Sequence, residues 1–331
     1  TKVKNITIID PCHKDIVAVL KREIGKADII IAQALSAEKA KAISQSKEKN
    51  KVFIWALWGY ELYNYVSFLK KNTSVDFKTT VTSKSWITTL KEHYLFKVIY
   101  NRAVKKIDIC LFLLKADYDL LKEVNNTNAI WRSTCYQTID NLLAMNDTFK
   151  IDGRSILIGN SSTPSNRHKV IFDQLKTIPN LDRKIIVPLN YGDQSYRKSI
   201  LSKGEQIFGK QFEGLIDFMP LEEYTEKLKS CSHVIMGHIR QQAFGTIMMM
   251  LYGGAKLYLS ELSPLYLWLK ALGVTVYSIE KELTQELSID LSEEQKEFNR
   301  KLISECLSES SILRQLTAVL DESIQMSEQR K

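Results

Sequence analysis

The chain has 331 residues, with 46 Lys and Arg, 38 Asp and Glu and a formal net charge of +8. Its 44% hydrophobic and 25% charged residues are those of a folded globular protein. That excludes a disordered chain, a collagen-like repeat and a small disulfide scaffold. No stretch reaches the roughly 18 uninterrupted apolar residues of a membrane-spanning helix, and at about 100–200 residues per domain the length predicts two domains.

Short β-branched runs alternate with amphipathic stretches along the chain. In the first half the expected strands are Ile6–Asp10, Ala27–Ala32, Lys51–Ala56 and Ile107–Leu113. Thr1–Asn5 lead straight into the first of these, without the pattern of a secretory leader. In the second half they are Ser155–Gly159, Lys184–Leu189, Leu215–Phe218, His233–Gly237, Ala255–Ser260 and Thr275–Ile279. Strand–helix alternation predicts an α/β fold of βαβ units with parallel sheets. Two such blocks meet near Phe149–Arg154, where Asp152-Gly153 supplies a turn. The expected domains are therefore 1–150 and 151–331, with a cleft between them. From Ser292 to Gln329 the tail reads as one or two helices, with Ser292 and Gln295 spaced as a capping box.

The five cysteines, Cys12, Cys110, Cys135, Cys231 and Cys306, are scattered and form no CxxC pair. This predicts small core residues in a reducing compartment, without structural zinc. Charge is unevenly placed. Residues 1–150 hold 24 Lys and Arg against 15 Asp and Glu, and residues 151–331 hold 22 against 23. The asymmetry points to an anionic partner of the first half: nucleic acid, a membrane surface or a phosphorylated ligand.

Ligands of open α/β sheets bind outside the carboxyl ends of the strands. Five segments merit attention. After Ser155–Gly159 comes the loop Asn160, Ser161, Ser162 and Thr163, then a helix capped by Ser165 or Asn166. Its amides suit an anion, but this segment by itself is better explained as an ordinary βα turn with good caps. After His233–Gly237 come His238, Arg240, Gln241 and Gln242, then an apolar helix starting near Gly245 and Thr246. A guanidinium at a helix's positive end suits a diphosphate; a structural carboxylate partner is the alternative. After Lys51–Ala56 comes Trp58-Gly59-Tyr60-Glu61-Leu62-Tyr63. Glu61 among aromatic rings suits a general base, or it is a first-turn residue favoured by the helix dipole. Asp117-Tyr118-Asp119 matches the DxD of metal-dependent sugar transferases, although helix capping explains both carboxylates. Finally, Tyr65–Lys106 carries nine basic residues against Asp76 and Glu92. Its part from Trp86 to Lys106, with Lys97, Arg102, Lys105 and Lys106, predicts a basic amphipathic helix for a membrane surface. The same charges suit nucleic acid, and a core helix with a solvated lysine face is the plain alternative.

Four of these segments, in this order, resemble one family. Trp58-Gly59-x-Glu61-Leu62-Tyr63 is similar to its WG-x-[DE]-LY segment, and Gly159-Asn160-Ser161 with Asn166 and His168 to its GNS…N.H loop. Val187-Pro188-Leu189-x-Tyr191-Gly192 is similar to its VPL-x-YG strand end, and Arg240-Gln241-Gln242-x-x-Gly245-Thr246 to its RQQ..G[TN] segment. The family is the TDP-N-acetylfucosamine:lipid-linked-disaccharide N-acetylfucosaminyltransferases of enterobacterial common antigen and related glycan pathways. The resemblance covers about residues 27–280. Glu61 stands where the family more often has Asp. The first strand corresponds to the family's second βα unit, so a leading unit is expected ahead of it.

The resemblance implies a GT-B glycosyltransferase of two Rossmann-like domains, peripheral on the cytoplasmic face of the bacterial inner membrane and needing no metal cofactor. It implies a TDP- or UDP-sugar donor held by Gly159, Asn160, Ser161, Ser162, Arg240, Gln241, Gln242, Gly245 and Thr246. Asn166, His168, Tyr191 and His238 are weaker candidates for the donor pocket. The acceptor is expected to be a polyprenyl-diphosphate-linked or other glycan, with Glu61 as base. Trp86, Lys97, Arg102, Lys105 and Lys106 are expected to meet the anionic membrane. Two other functions fit the composition: a non-catalytic nucleic-acid-binding protein, and a nucleotide-sugar epimerase of the same architecture.

Overall fold

The structure, a computed structural model, describes residues 13–70, 91, 93–143 and 149–331. The expected strand Ile6–Asp10, Cys12 and Trp86 lie outside these residues, as do Lys71, Lys78 and Lys84. The chain divides into two compact units. Of the described residues, the first holds those up to Lys70, those from Lys91 to Thr134, and Gln315–Lys331; the second holds Cys135–Arg314.

Among the described residues of the first unit four strands run parallel in the order β1-β2-β3-β4: β1 (Ile29–Gln33), β2 (Val52–Ala56), β3 (Ile109–Leu111) and β4 (Ile130–Arg132). Ile29 pairs with Val52, Ile54 with Ile109, and Ile109 with Ile130. The helices used below are α1 (Ile16–Lys26), α2 (Ala37–Gln45), α3 (Tyr60–Leu69) and α4 (Lys115–Val124). All five residues of β2 are buried, as a parallel strand covered on both faces requires. β4 is missing from the sequence expectation. It has three residues, none fully buried, and so neither alternation nor a continuous apolar run marks it. The expected basic helix is present from His93 to Val104, with a π-helical stretch over Leu95–Tyr100. Phe96 and Tyr100 of this helix pack inward: their rings lie 5.2 Å apart, and Tyr100 stacks 5.6 Å from Tyr65 of α3.

Among the described residues of the second unit six strands run parallel: β5 (Ser155–Ile158), β6 (Ile185–Pro188), β7 (Phe212–Leu215), β8 (Cys231–Met236), β9 (Lys256–Leu259) and β10 (Tyr277–Ser278). Their order is β10-β9-β8-β5-β6-β7. The strand expected over Leu215–Phe218 lies three residues earlier. Phe212 pairs with Ile185 and lies against Gly204, where any Cβ would stand 2.2 Å from its ring. Phe218 is left 92% exposed. α5 (His168–Leu175) and α6 (Phe244–Gly253) follow β5 and β8. The capping box at Ser292 forms as expected, opening the helix Glu293–Cys306.

The boundary between the units differs from the expected 150/151. Asp152 and Gly153 both donate to the Lys229 carbonyl, and Ile151 donates to that of Gly253. The expected linker turn is thus bonded into the second unit. The tail behaves differently from its sequence neighbours as well. The last helix, α7 (Glu309–Glu328), brings Val319 onto a face made of Val52, Ile54, Ala56, Ile109 and Leu111, with Leu316 and Met326 beside it. Arg132 clamps Glu322 with two hydrogen bonds of 2.9 and 2.5 Å. Arg330 reaches Asp108, whose carboxylate also accepts from the Phe53 amide. The Arg132 side chain is 42% exposed, and such a pair is worth only about 0–1 kcal/mol. Burying one Val, Leu or Met side chain is worth about 1.5–3 kcal/mol, so the apolar stripe does most of the holding. Val319→Asp should therefore lower the unfolding free energy by about 3–5 kcal/mol, the cost of an uncompensated buried charge. Urea unfolding of the variant measures this; an unchanged midpoint means that the helix does not cover the sheet.

Candidate functional site

β5 lies between β8 and β6. Successive strands are added away from β5 in one direction as far as β7, and in the other from β8 onward. The order reverses between β5 and β8, and a crevice opens at the carboxyl ends of such a pair. The loop after β5 and the loop after β8 meet there through side chains. Gln242 is the junction: its Oε1 accepts from Arg240 Nε at 3.0 Å and from Ser165 Oγ at 2.8 Å. Its Nε2 donates to Asn160 Oδ1 at 2.8 Å. Asn160 Nδ2 in turn donates to the Tyr191 hydroxyl, at the end of β6. Arg240 is 7% exposed and its Nη2 also lies 3.4 Å from Ser165 Oγ. Gln241, Gln242, Gly245 and Thr246 are partly exposed. α6 begins after Ala243, which takes φ +57°, and no side chain caps its first turn. That leaves the positive end of an apolar helix beside a guanidinium.

The expected phosphate loop is used differently. The amides of Gly159, Asn160 and Ser162 donate to Ile235 O, Asn166 Oδ1 and Tyr191 O. Ser161 and Ser162 are buried. Loop amides spent in this way do not face a ligand. Asn166 and His168 are fully buried and support the loop from beneath instead of lining a pocket. Asn166 Nδ2 donates to Ser161 O at 2.9 Å and to Thr163 Oγ1 at 3.0 Å. His168 lies under Gly159, which takes φ +68°; a Cβ there would stand 2.5 Å from His168 Nε2. Neither Ser165 nor Asn166 caps α5. They form a 3-10 turn, and Arg167 at φ +54° precedes the helix. His238 is also buried, with Nδ1 3.1 Å from the Arg240 carbonyl. Tyr191 is the exposed member of this set, at 55%.

In the first unit Gly59 takes φ +104° ahead of α3 and turns the chain out of β2. Glu61 is 1% exposed. Its Oε1 accepts from the Trp55 indole at 3.2 Å and from the Trp58 amide at 3.0 Å, while Trp58 and Tyr60 stand out at 59% and 48%. The two carboxylates of the DxD match part company. Asp117 is buried and accepts from the Tyr63 hydroxyl, whereas Asp119 pairs with Lys115 on the outer face of α4. Among the described residues no group of three or more His, Cys, Asp or Glu could hold a metal ion. Lys97, Arg102 and Lys105 are exposed, with Tyr94 exposed near them. Lys106 is committed elsewhere: its ammonium caps the end of α2, donating to the carbonyls of Ile43, Ser44 and Ser46. Among the described residues no helix is long and apolar enough to cross a membrane. Cys110, Cys135 and Cys231 are buried free thiols and Cys306 is a partly exposed one; burial pushes Cys110 and Cys231 up to about 12, which keeps them unreactive.

Residues 89–311 match the family described as 4-alpha-L-fucosyltransferase, glycosyl transferase group 56. Among solved structures, a glycosyltransferase from Rickettsia africae is similar with a TM-score of 0.61 at 12% identity, over 96% of this chain and 84% of that one. Anabaena HepE, in complex with UDP and glucose, gives a TM-score of 0.61 at 12% identity, over 92% of this chain and 81% of that one. At such identity the likeness establishes the architecture, which is GT-B.

Burial holds three histidines of the second unit neutral. His168 and His233 are pushed down to about 3, and His238 to about 4, with the Arg240 charge adding to burial there. The unfolded chain takes up these protons near 6.5, so it binds more protons than the native state below that pH. Stability is therefore full above about 6.5 and declines as pH falls toward 4, by up to about 1.4 kcal/mol per pH unit for each group. The melting temperature should drop between pH 7 and 4, and His168→Gln should make that decline shallower. An identical slope in a folded variant would mean that His168 is charged in the native protein.

Proposed function

Since the chain belongs to the 4-alpha-L-fucosyltransferase family, glycosyl transferase group 56, and is a glycosyltransferase, we propose that it moves a deoxyamino sugar of the N-acetylfucosamine type from a TDP or UDP donor to a lipid-linked glycan. The observation that carries this reading is the polar junction at the β5/β8 switch point. There Arg240, oriented by Gln242, stands beside the uncapped first turn of α6. Such a guanidinium and helix end stabilise the negative charge that grows on a departing diphosphate. Gln241, Gly245 and Thr246 complete that end, and Tyr191 and Asn160 bound the donor site on the β6 side. The UDP and UDP-glucose complexes of HepE support a nucleotide-sugar donor.

In this reading Glu61 takes the proton of the acceptor hydroxyl. Its Oε1 is held by Trp55 and Trp58, which leaves Oε2 for the reaction. The exposed face of Lys97, Arg102 and Lys105 docks the protein on anionic lipid at the cytoplasmic side of a bacterial inner membrane, where a polyprenyl-diphosphate acceptor resides.

Arg240→Ala should weaken nucleotide-sugar binding by about 1.5–3 kcal/mol, the worth of a hydrogen bond to a charged group. Glu61→Gln should leave donor affinity intact and lower turnover by about 10²–10⁴-fold. Calorimetry with TDP- and UDP-sugars and a transfer assay with a lipid-linked acceptor measure both; rearranged donor without transfer would support an epimerase instead. For the membrane, the triple change of Lys97, Arg102 and Lys105 to Gln should remove most salt-sensitive binding to anionic vesicles, at about 1 kcal/mol per charge. Lys106 is left in place because it caps α2. Sedimentation showing no preference for anionic over neutral vesicles, with steeply salt-dependent binding to nucleic acid, would overturn the membrane reading.

A further inference from the structure

Tyr191 is an exposed aromatic residue that the fold holds still. It follows the carboxyl end of β6 and is 55% exposed. Its carbonyl accepts from the Ser162 amide at 2.8 Å and from Ser162 Oγ at 2.6 Å. Gly192 comes next at φ +117°, and a Cβ there would stand 2.7 Å from the Ser162 carbonyl oxygen. The Asp193 amide donates to that same oxygen, and the Asp193 carboxylate caps the helix Gln194–Phe208 by accepting from the Tyr196 amide. The phenol is fixed at its far end as well, because Asn160 Nδ2 donates to the hydroxyl at 2.8 Å. A single exposed aromatic residue is ordinary on a protein surface. One held at both its backbone and its hydroxyl has already lost the freedom that a ligand would otherwise take from it.

The bonds that hold the phenol lead on to the charged part of the site. Asn160 Oδ1 accepts from Gln242 Nε2 at 2.8 Å, and Gln242 Oε1 accepts from Arg240 Nε at 3.0 Å. Tyr191 and Arg240 are thus the two ends of one chain of hydrogen-bonded side chains, which crosses the ends of β6, β5 and β8 in that order. Neighbouring strands lie about 4.8 Å apart, and the chain spans two such spacings. That is close to the reach from the outer phosphate of a nucleoside diphosphate to its base. Beside Tyr191 the surface stays apolar. Pro188 of β6 pairs with Leu215 of β7, and the chain leaving β7 carries Ile216 and Phe218, 43% and 92% exposed.

We propose that the ring of Tyr191 is the stacking surface for the nucleobase of the donor. The inference rests on the reading of Arg240 and the first turn of α6 as the place of the donor diphosphate. With the diphosphate there, the nucleoside extends across the end of β5 toward β6, and its flat base lies on the phenol in an offset stack. Asn160 and Gln242 are positioning residues in this arrangement, since one set of hydrogen bonds aims both the ring and the guanidinium. A stacking surface reads the face of a base, which every base has, and not its edge. Thymine and uracil therefore gain from it alike.

Calorimetry on the full chain with three probes, TDP, UDP and inorganic pyrophosphate, tests this. Tyr191→Ala should weaken TDP and UDP by about 5–150-fold, the cost of losing one stacked base, and leave pyrophosphate affinity as it was. Tyr191→Phe keeps the ring and should retain most of the nucleotide affinity. Should Tyr191→Ala not fold, Tyr191→Leu carries the comparison, because it keeps apolar bulk without a flat face. Arg240→Ala should weaken all three probes. Unchanged TDP and UDP affinity in Tyr191→Ala overturns the stacking surface, while the loss in Arg240→Ala keeps the diphosphate site. A loss of pyrophosphate equal to that of the nucleotides makes Tyr191 a support for Arg240 and overturns it too. If Arg240→Ala weakens none of the probes, the diphosphate reading falls, and the place assigned to the base falls with it.

Discussion

A parallel sheet has to be covered on both faces, and most of this structure follows from that requirement. The strands of both units are short apolar runs with little polar alternation, so neither face can be left to water. In the first unit the cover on one face comes from the far end of the sequence, where Val319, Leu316 and Met326 lie on Val52, Ile54 and Ile109. In the second unit helices such as α5 and α6 follow directly on their strands. Covering the faces leaves the strand ends as the places where polar groups can gather without interrupting a core. Both candidate sites stand at such ends, after β2 and β3 in one unit and after β5 and β8 in the other.

At those ends the cost of an unpaired buried polar group sorts supporting residues from working ones. Around β5 most donors are spent inside the protein: Asn166 on Ser161 and Thr163, and the loop amides on Ile235, Asn166 and Tyr191. Those residues make a rigid platform. The guanidinium of Arg240 is oriented through Gln242 beside the first turn of α6, which no side chain caps. Around β2 and β3 the balance is different. Two carboxylates keep an oxygen each without a partner, a costly arrangement that a purely structural role does not need.

Local patterning was enough to read much of the fold. Apolar runs bounded by turn residues marked eight of the ten described strands, and the polar run Arg240–Gln242 between a buried strand and an apolar helix stood out without coordinates. The same holds for Glu61 after Gly59 and for the Ser292 capping box. All of these depend on residues within a few positions of each other, where backbone sterics, capping and burial period act directly on the chain.

Other features depend on contacts between distant residues, and only the tertiary structure decided them. β4 is visible by its pairing with β3, and β7 by its register with β6. Residues 135–143, 149 and 150 fold with the second unit and 315–331 with the first, because hydrogen bonds and apolar area act across any sequence separation. His168 became a support because Gly159 sits on it, and Lys106 became a cap because α2 ends within its reach. Asp117 looked like half of a DxD pair; its neighbours Tyr63 and Glu61 are 54 and 56 positions away. From the sequence alone came the kinds of groups present and their order along strand ends. Which of them face inward, and which partner each one satisfies, was set by packing, since a buried donor or acceptor takes whatever partner the fold brings to it.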